Sequence, residues 1–131
     1  MNRRAFLLGA MLQASAAAAE PAIAATLAMY TREALGVAQE AGEPILIVVG
    51  ASGCPVCIRQ RPIIDNLIEQ PEFRDLVVLM VDFDTRTDFV QAFKVSAEST
   101  LIAMHGTAER GRATGIADKG AILALMRKAM A

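Results

Sequence analysis

Two runs of apolar residues in the middle of the chain have the character of buried β-strands. The first run, at 45–49, reads ILIVV, and the second, at 76–81, reads LVVLMV. Continuous runs of β-branched and other apolar side chains are typical of strands covered on both faces, as in a parallel sheet. Residues 100–104 are predicted to form a third strand, and a turn at 105–108 leads to a fourth at 109–114. The pattern therefore predicts four strands, of which the last two form a hairpin.

Stretches with helical spacing of apolar residues separate these strands. The predicted helices are at 26–41, 54–70, 88–93 and 118–130. Asp118 is the expected N-cap of the last helix, because its carboxylate can accept a hydrogen bond from the first turn. Strands that alternate with helices indicate an α/β layer architecture, and the closing hairpin makes the sheet mixed.

Residues 1–19 have the composition of an export signal. Two early arginines precede an uncharged run, 5–19, which is shorter than the roughly 20 apolar residues of a membrane span. Small residues suit cleavage before Glu20 or before Ala25. The start resembles a twin-arginine signal, with an ordinary secretory signal and a retained anchor as the alternatives. We therefore expect an export signal followed by one domain, 20–131, in the oxidising periplasm.

Composition narrows the classes of function. The chain has 13 basic and 14 acidic residues, a net charge of −1, so it lacks the basic surface that nucleic-acid binding requires. An apolar fraction of 54% against 21% charged residues excludes a disordered chain. The two cysteines are too few for a multi-disulfide scaffold or a four-cysteine zinc site.

Both cysteines belong to one motif, Cys54-Pro55-Val56-Cys57, between the first predicted strand and the second predicted helix. A thiolate is the nucleophile in disulfide exchange, and the free N–H groups and the dipole of a first helical turn stabilise negative charge. Pro55 suits the first helical position because it has no N–H to leave unpaired. Cys57 follows one turn later on the same side and can close a disulfide. The motif therefore predicts a redox-active pair with Cys54 at the helix cap.

Other interpretations of these residues stay open. A structural disulfide across three residues would close so small a loop that it stabilises little. A metal site on the two thiols needs two further ligands, and His105 is the only histidine in the chain. Two unrelated buried cysteines are disfavoured by the surrounding glycine and proline. For His105, a turn residue at the end of a strand is favoured over an acid–base helper.

With these features together, the chain resembles the thioredoxin family over about 45–130. The buried ILIVV strand precedes the Cys-x-x-Cys helix, and Pro62 falls where the family commonly has a kinking proline. The other matching positions are Asp82 and Asp84 after the second strand, Val95 and 99–102 near the family's cis-proline, and Gly115 after the last strand. The resemblance implies a thioredoxin-like α/β fold, with a central mixed four-stranded sheet flanked by helices and an extra N-terminal helix.

The resemblance also implies roles for individual residues. Cys54 is expected to be the exposed nucleophile that forms a mixed disulfide with a partner, and Cys57 is expected to resolve it. Ser99 and Thr100 are expected to lie in a substrate-binding loop opposite the disulfide. Such an enzyme uses no cofactor or metal and exchanges its pair with the disulfides or dithiols of partner proteins. We expect a monomer.

The direction of electron flow depends on the reduction potential, which the sequence does not fix. The lack of a histidine between the cysteines slightly favours a reductant. A reductant outside the cytoplasm implies a membrane-embedded thiol electron donor as a partner. The alternative function is a thioredoxin-like metal-binding or partner-docking module without turnover.

Three positions depart from the family. Ser99 occupies the cis-proline position, and because a non-proline cis bond costs about 2.5–4 kcal/mol, we expect a trans peptide before it. Ser99→Pro is then expected to be tolerated. Val48 replaces a buried acid, and Gly53 replaces an aromatic residue. Without that acid the base for Cys57 is not evident, and the candidates are Glu43, Asp82 and Asp84.

Overall fold

The computed structural model describes residues 25–131. The predicted export signal and the cleavage site before Glu20 lie outside the described residues. Between residues 25 and 131, no helix is both long enough and apolar enough to cross a membrane.

The described residues fold around one mixed five-stranded sheet in the order β1-β3-β2-β4-β5. Strands β1, β3 and β2 run parallel to one another, and β4 and β5 run antiparallel to their neighbours. The parallel strands therefore end at the same edge of the sheet. The strands are β1 (Thr26–Met29), β2 (Pro44–Gly50), β3 (Val77–Asp82), β4 (Thr100–His105) and β5 (Ala108–Thr114).

Between residues 25 and 131 there are four α-helices and one short 3-10 turn, Pro71–Phe73; the first three helices and the turn lie between strands, and the fourth helix follows β5. Asp118 caps the last helix as predicted, since its Oδ2 accepts a hydrogen bond from the N–H of Ala121 at 2.9 Å. Pro62 lies inside the second helix, at the position that the resemblance implies. The helices are α1 (Arg32–Glu40), α2 (Pro55–Leu67), α3 (Thr87–Ala92) and α4 (Lys119–Met130).

Helices cover the sheet on both faces. Helices α2 and α4 pack on the face that carries Leu46, Val48 and Leu101, and α1 and α3 pack on the face that carries Ile47 and Ile102. Six of the seven residues of β2 are buried, which explains why its sequence is continuously apolar rather than alternating. The central strand β2 is thereby covered on both faces, and a short loop, 51–53, joins it to the Cys-x-x-Cys segment.

The predicted N-terminal helix over 26–41 is wrong in its first part. Residues Thr26–Met29 form β1, which pairs in parallel with β3, so the sheet has five strands instead of four. The N–H of Tyr30 donates to the carbonyl of Met80 at 2.8 Å, and this pairing satisfies backbone groups that a helix would have paired internally. The helix begins only after Thr31, whose Oγ1 accepts a hydrogen bond from the N–H of Ala34.

Candidate active site

Strand β2 and helix α2 place the two cysteines at the edge of the sheet where the parallel strands end. Gly53 turns the chain with φ +71°, a left-handed conformation that side chains disfavour, which accounts for a glycine where the family has an aromatic residue. Cys54 is the N-cap of α2, as predicted, and Pro55 is the first helical residue. The N–H of Cys57 donates to Cys54 Sγ at 3.2 Å.

Cys54 and Cys57 form a disulfide, and their Cα atoms are 5.3 Å apart. This separation lies within the usual range for bonded cysteines. The interpretation of the two residues as unrelated buried cysteines is therefore wrong. The sulfur of Cys54 also lies where the first turn of a 13-residue helix presents its free N–H groups.

The two cysteines differ in their exposure to solvent, and the order is the opposite of the predicted one. Cys54 is only 3% exposed, whereas Cys57 is half-buried and lines an open pocket. The prediction of an exposed Cys54 is thus wrong for the disulfide form. The cap geometry explains the difference, because the hydrogen bond from Cys57 N–H holds Cys54 Sγ against the end of the helix.

The pocket beside Cys57 has a volume of about 400 Å³ and opens where β1, β3 and β2 end. Its walls are mainly apolar, and two of its large side chains, Met29 and Ile58, are 67% and 69% exposed. Clefts beyond the carboxyl ends of parallel strands are common ligand sites in α/β proteins. The lining residues are Met29, Val48, Val49, Gly50, Ala51, Ser52, Cys57, Ile58, Gln60, Arg61, Met80, Val81 and Asp82.

Val48 occupies the position at which the family has a buried acid, and its apolar side chain forms part of the wall of this pocket. Of the three acids considered as bases for Cys57, only Asp82 lines it. Asp82 Oδ1 accepts hydrogen bonds from the N–H groups of Asp84 and Thr85, at 2.9 and 3.2 Å. Of these three acids, Asp82 is thus the one that shares the pocket with Cys57, and its position is fixed by the turn after β3.

Ser99 and Thr100 are buried, at 6% and 2% exposure. The carbonyl of Ser99 accepts hydrogen bonds from Gln60 Nε2 at 3.2 Å and from the N–H of Gly115 at 3.1 Å. The loop therefore lies against α2, one turn beyond Cys57. Because the Ser99 carbonyl already has two donors, it is not a free acceptor for a partner strand.

Residues 25–131 contain no cis peptide bond, so the expectation of a trans bond before Ser99 is confirmed. Ser99 itself has φ +58°, in the left-handed region. Proline is locked near −65° and cannot adopt this conformation. The structure therefore removes the basis for expecting Ser99→Pro to be tolerated.

Gln60 is a site residue that the sequence analysis missed. It is 1% exposed, and its Nε2 joins α2 to two separate loops, at the carbonyls of Ser99 and, at 2.6 Å, of Ile116. Its Oε1 is buried and has no hydrogen-bond partner among the described residues. The signal that could have found it is its spacing: Gln60 is the one strongly polar member of the inward stripe formed with Cys57, Ile64 and Leu67.

His105 lies far from the disulfide. Thr100 pairs with Val49 at the disulfide end of β4, whereas His105 pairs with Pro44, five residues or about 17 Å along the strand. Its Nδ1 is hydrogen-bonded to the carbonyl of Ala129 at 2.8 Å. His105 therefore cannot join the two cysteines as a metal ligand. In the part of the chain that the structure describes, no three His, Cys, Asp or Glu residues are grouped to hold a metal ion.

No protein-family model and no curated protein matches the chain. Among solved structures, it is similar to Trxlp from Edwardsiella tarda at 38% identity, with a TM-score of 0.75 over 77% of this chain and 98% of that chain. The thioredoxin Mala s 13 of Malassezia sympodialis matches at 16% identity and a TM-score of 0.71, over 82% of this chain and 95% of that one. Thioredoxin f from spinach chloroplast matches at 16% identity and a TM-score of 0.69, over 87% and 100%. The two more distant matches share the fold.

Proposed function

Since the chain belongs to the thioredoxin-like family, we propose that it exchanges its Cys54–Cys57 pair with the disulfides of partner proteins in the periplasm, as a reductant. It is a thiol–disulfide oxidoreductase. The observation that carries the detailed proposal is the hydrogen bond from Cys57 N–H to Cys54 Sγ at the start of α2. This donor and the helix dipole stabilise a thiolate on Cys54 once the disulfide is opened.

In the reducing direction, the Cys54 thiolate attacks one sulfur of the partner's disulfide and expels the other as a thiolate. The product is a mixed disulfide between Cys54 and the partner. Cys57 then loses its proton and attacks Cys54 Sγ, so that the Cys54–Cys57 disulfide forms and the partner leaves as a dithiol. Two electrons pass from the enzyme to the partner.

Cys54 lies directly beneath the surface although it is covered in the disulfide form. Its neighbours Ser52, Gly53 and Pro55 are all exposed. Only these exposed residues of the loop and the first helical position separate Cys54 from the surface on this side, and opening the disulfide releases its side chain from Cys57. A partner can therefore meet Cys54 without any rearrangement of the sheet.

The Cys57→Ser variant tests the assigned order of the two cysteines. We expect this variant to accumulate a stable mixed disulfide with a protein disulfide substrate such as insulin, because no thiol remains to resolve it. Non-reducing gel electrophoresis and peptide mapping measure the adduct and locate it on Cys54. Cys54→Ser is the matched control and should form no such adduct in the same time. Trapping on Cys57 in that control, with none in Cys57→Ser, would reverse the roles.

The export signal expected at residues 1–19 supports the periplasmic location, and a reductant there draws electrons from a membrane-embedded thiol donor. Expression in a bacterial host and cell fractionation test this part of the proposal. We expect the mature protein in the periplasmic fraction, with an N-terminus at Glu20 or Ala25 by Edman sequencing. Protein with Met1 retained and confined to the cytoplasm would contradict the location but leave the chemistry of the cysteines untouched.

A further inference from the structure

The side chain of Gln60 has one polar atom that the disulfide form leaves unpaired. Its Nε2 donates to the carbonyl of Ser99 at 3.2 Å and to that of Ile116 at 2.6 Å, so both amide hydrogens are engaged. Because these partners are acceptors, the nitrogen and the oxygen of the amide cannot be interchanged. Oε1 is buried and has no hydrogen-bond partner between residues 25 and 131. A buried acceptor without a donor is costly, so we looked for a donor that exists only in the reduced protein.

Cys57 is the neighbour of Gln60 that gains a donor during the reaction. The two residues are three positions apart on α2, which places their Cβ atoms about 5–6 Å from each other. Helical side chains lean toward the N-terminus of the helix, so the long side chain of Gln60 extends back toward the turn that carries Cys57. Both residues line the same pocket. In the disulfide the sulfur of Cys57 has no hydrogen, and it gains an S–H when the bond to Cys54 opens.

We propose that Gln60 Oε1 accepts a hydrogen bond from the S–H of Cys57 in the reduced enzyme and thereby holds the proton on this sulfur. This inference rests on the proposed function. The acceptor is then paired in the dithiol form and unpaired in the disulfide form. A hydrogen bond to the protonated form of a group disfavours its ionisation, so Cys57 stays a thiol. The negative charge of the reduced pair is thus left to Cys54, whose sulfur accepts the N–H of Cys57 at the helix cap.

The other groups around the pocket do not offer Cys57 an equivalent acceptor. Val48, where the family has a buried acid, has no polar side-chain atom. The charged side chains that line the pocket with Cys57 are Asp82, at the end of β3, and Arg61, on α2. Arg61 is a donor and forms an ion pair one turn further along the helix. Asp82 Oδ1 accepts two N–H groups of the turn after β3. Gln60 Oε1 is therefore the buried acceptor on this pocket wall that still lacks a donor.

Gln60 then affects two points of the reaction cycle. It favours the dithiol over the disulfide, because its hydrogen bond to Cys57 exists in only one of the two forms, and this makes the enzyme a milder reductant. Once the mixed disulfide with the partner has formed, Cys57 must lose the same proton before its thiolate attacks Cys54 Sγ. An amide oxygen is too weak a base to keep the proton, which passes to solvent. The S–S bond of the enzyme forms, and the partner leaves with two electrons.

Gln60→Met tests the proposal in the enzyme with both cysteines, since methionine has a similar length but no acceptor oxygen. The bonds of Nε2 reach backbone carbonyls outside the Cys-x-x-Cys segment, so their loss should destabilise both redox forms alike. The bond to Oε1 exists only in the dithiol form. Equilibration with glutathione, followed by alkylation and mass spectrometry, should therefore show a shift toward the disulfide of about fivefold, the effect of one ordinary hydrogen bond on an equilibrium constant.

Ile64→Val is the matched control, because Ile64 lies one turn further along the buried stripe of α2 and has no polar side-chain atom. It should loosen the packing of the helix and leave the equilibrium with glutathione within about twofold of the wild type. An equal shift in Ile64→Val and Gln60→Met would overturn the proposal, because altered packing of α2 would then explain both. An unchanged equilibrium in Gln60→Met would overturn it as well.

Infrared difference spectra of the wild-type enzyme, reduced minus oxidised, test the proposal without a substitution at Gln60. With isotope-labelled glutamine side chains, the carbonyl band of Gln60 should move to lower frequency on reduction, because a hydrogen bond to a carbonyl oxygen weakens its double bond. Cys57→Ala, treated with the same reductant, should show no such change. A band that does not move in the wild type refutes the role of Gln60, and the proposed function stands if the same enzyme reduces insulin. Failure to reduce insulin refutes the proposed function itself.

Discussion

The Cys54→Ser variant should lose all catalysis of insulin reduction in an assay where dithiothreitol supplies the electrons. The wild-type enzyme accelerates that reduction. Serine keeps the shape of the cap and can still accept the N–H of Cys57 through its oxygen. An alcohol at neutral pH does not attack a disulfide, however, and the variant has no sulfur at the N-cap of α2. We therefore expect the turbidity that reports insulin reduction to develop at the rate of dithiothreitol alone.

The control for this experiment is Val56→Ala, which alters the residue between the cysteines but leaves both sulfurs and the cap in place. It should retain at least about half of the wild-type rate, because Val56 is neither a sulfur nor a cap group. Urea unfolding of Cys54→Ser checks that the fold is intact, and we expect a small change, since the disulfide closes a loop of only three residues. A fully active Cys54→Ser enzyme would exclude thiol exchange at this pair and would favour the alternative of a docking module.

The sequence predicted the parts of the fold that depend on local pattern. The ILIVV run specified a strand buried on both faces, and β2 is buried almost throughout. Asp118 and Cys54 were recognisable as caps because a polar or sulfur-bearing side chain precedes a helical stretch, and both accept the expected N–H. These signals are contained in a few neighbouring residues, so no knowledge of distant parts of the chain was needed.

The errors concern features that distant contacts decide. Thr26–Met29 has apolar residues at a spacing compatible with a helix, and only the free edge of β3 makes it a strand. The exposure of Cys54 depends on which side of the helix cap its sulfur occupies, and the cap hydrogen bond turns it inward. The sequence of the four-residue Cys-x-x-Cys motif does not by itself determine which side of the cap the Cys54 sulfur occupies.

Gln60 shows the same limit for the site. Its role depends on two carbonyls, those of Ser99 and Ile116, which lie 39 and 56 residues away in the sequence. A polar residue on the inward stripe of a helix indicates a buried hydrogen bond, because an unpaired buried amide is costly. The pattern therefore identifies the residue, whereas its partners follow only from the fold.

Ser99→Pro tests whether this loop can adopt the family's proline. The backbone of Ser99 is left-handed, with φ +58°, and proline requires a φ near −65°, so the loop must change its path. The carbonyl of Ser99 would then move away from Gln60 Nε2 and from the N–H of Gly115. Losing these two hydrogen bonds, of which the one from Gln60 is buried, at about 1 kcal/mol each and together with strain, should lower the free energy of unfolding by about 2–3 kcal/mol in urea titrations.

Two glycine variants separate backbone strain from a specific effect on the site. Lys94, in an exposed turn, has φ +53°, so Lys94→Gly and Ser99→Gly both relieve a left-handed side chain and should each stabilise the protein by about 0.5–1 kcal/mol. Ser99→Gly should keep the insulin-reduction rate, because the carbonyl retains its position against α2. Ser99→Pro should reduce both stability and rate. If the free energy of unfolding of Ser99→Pro were unchanged, the loop would reach the proline conformation at no cost. The left-handed backbone of Ser99 would then not be needed to hold α2 against the start of β4.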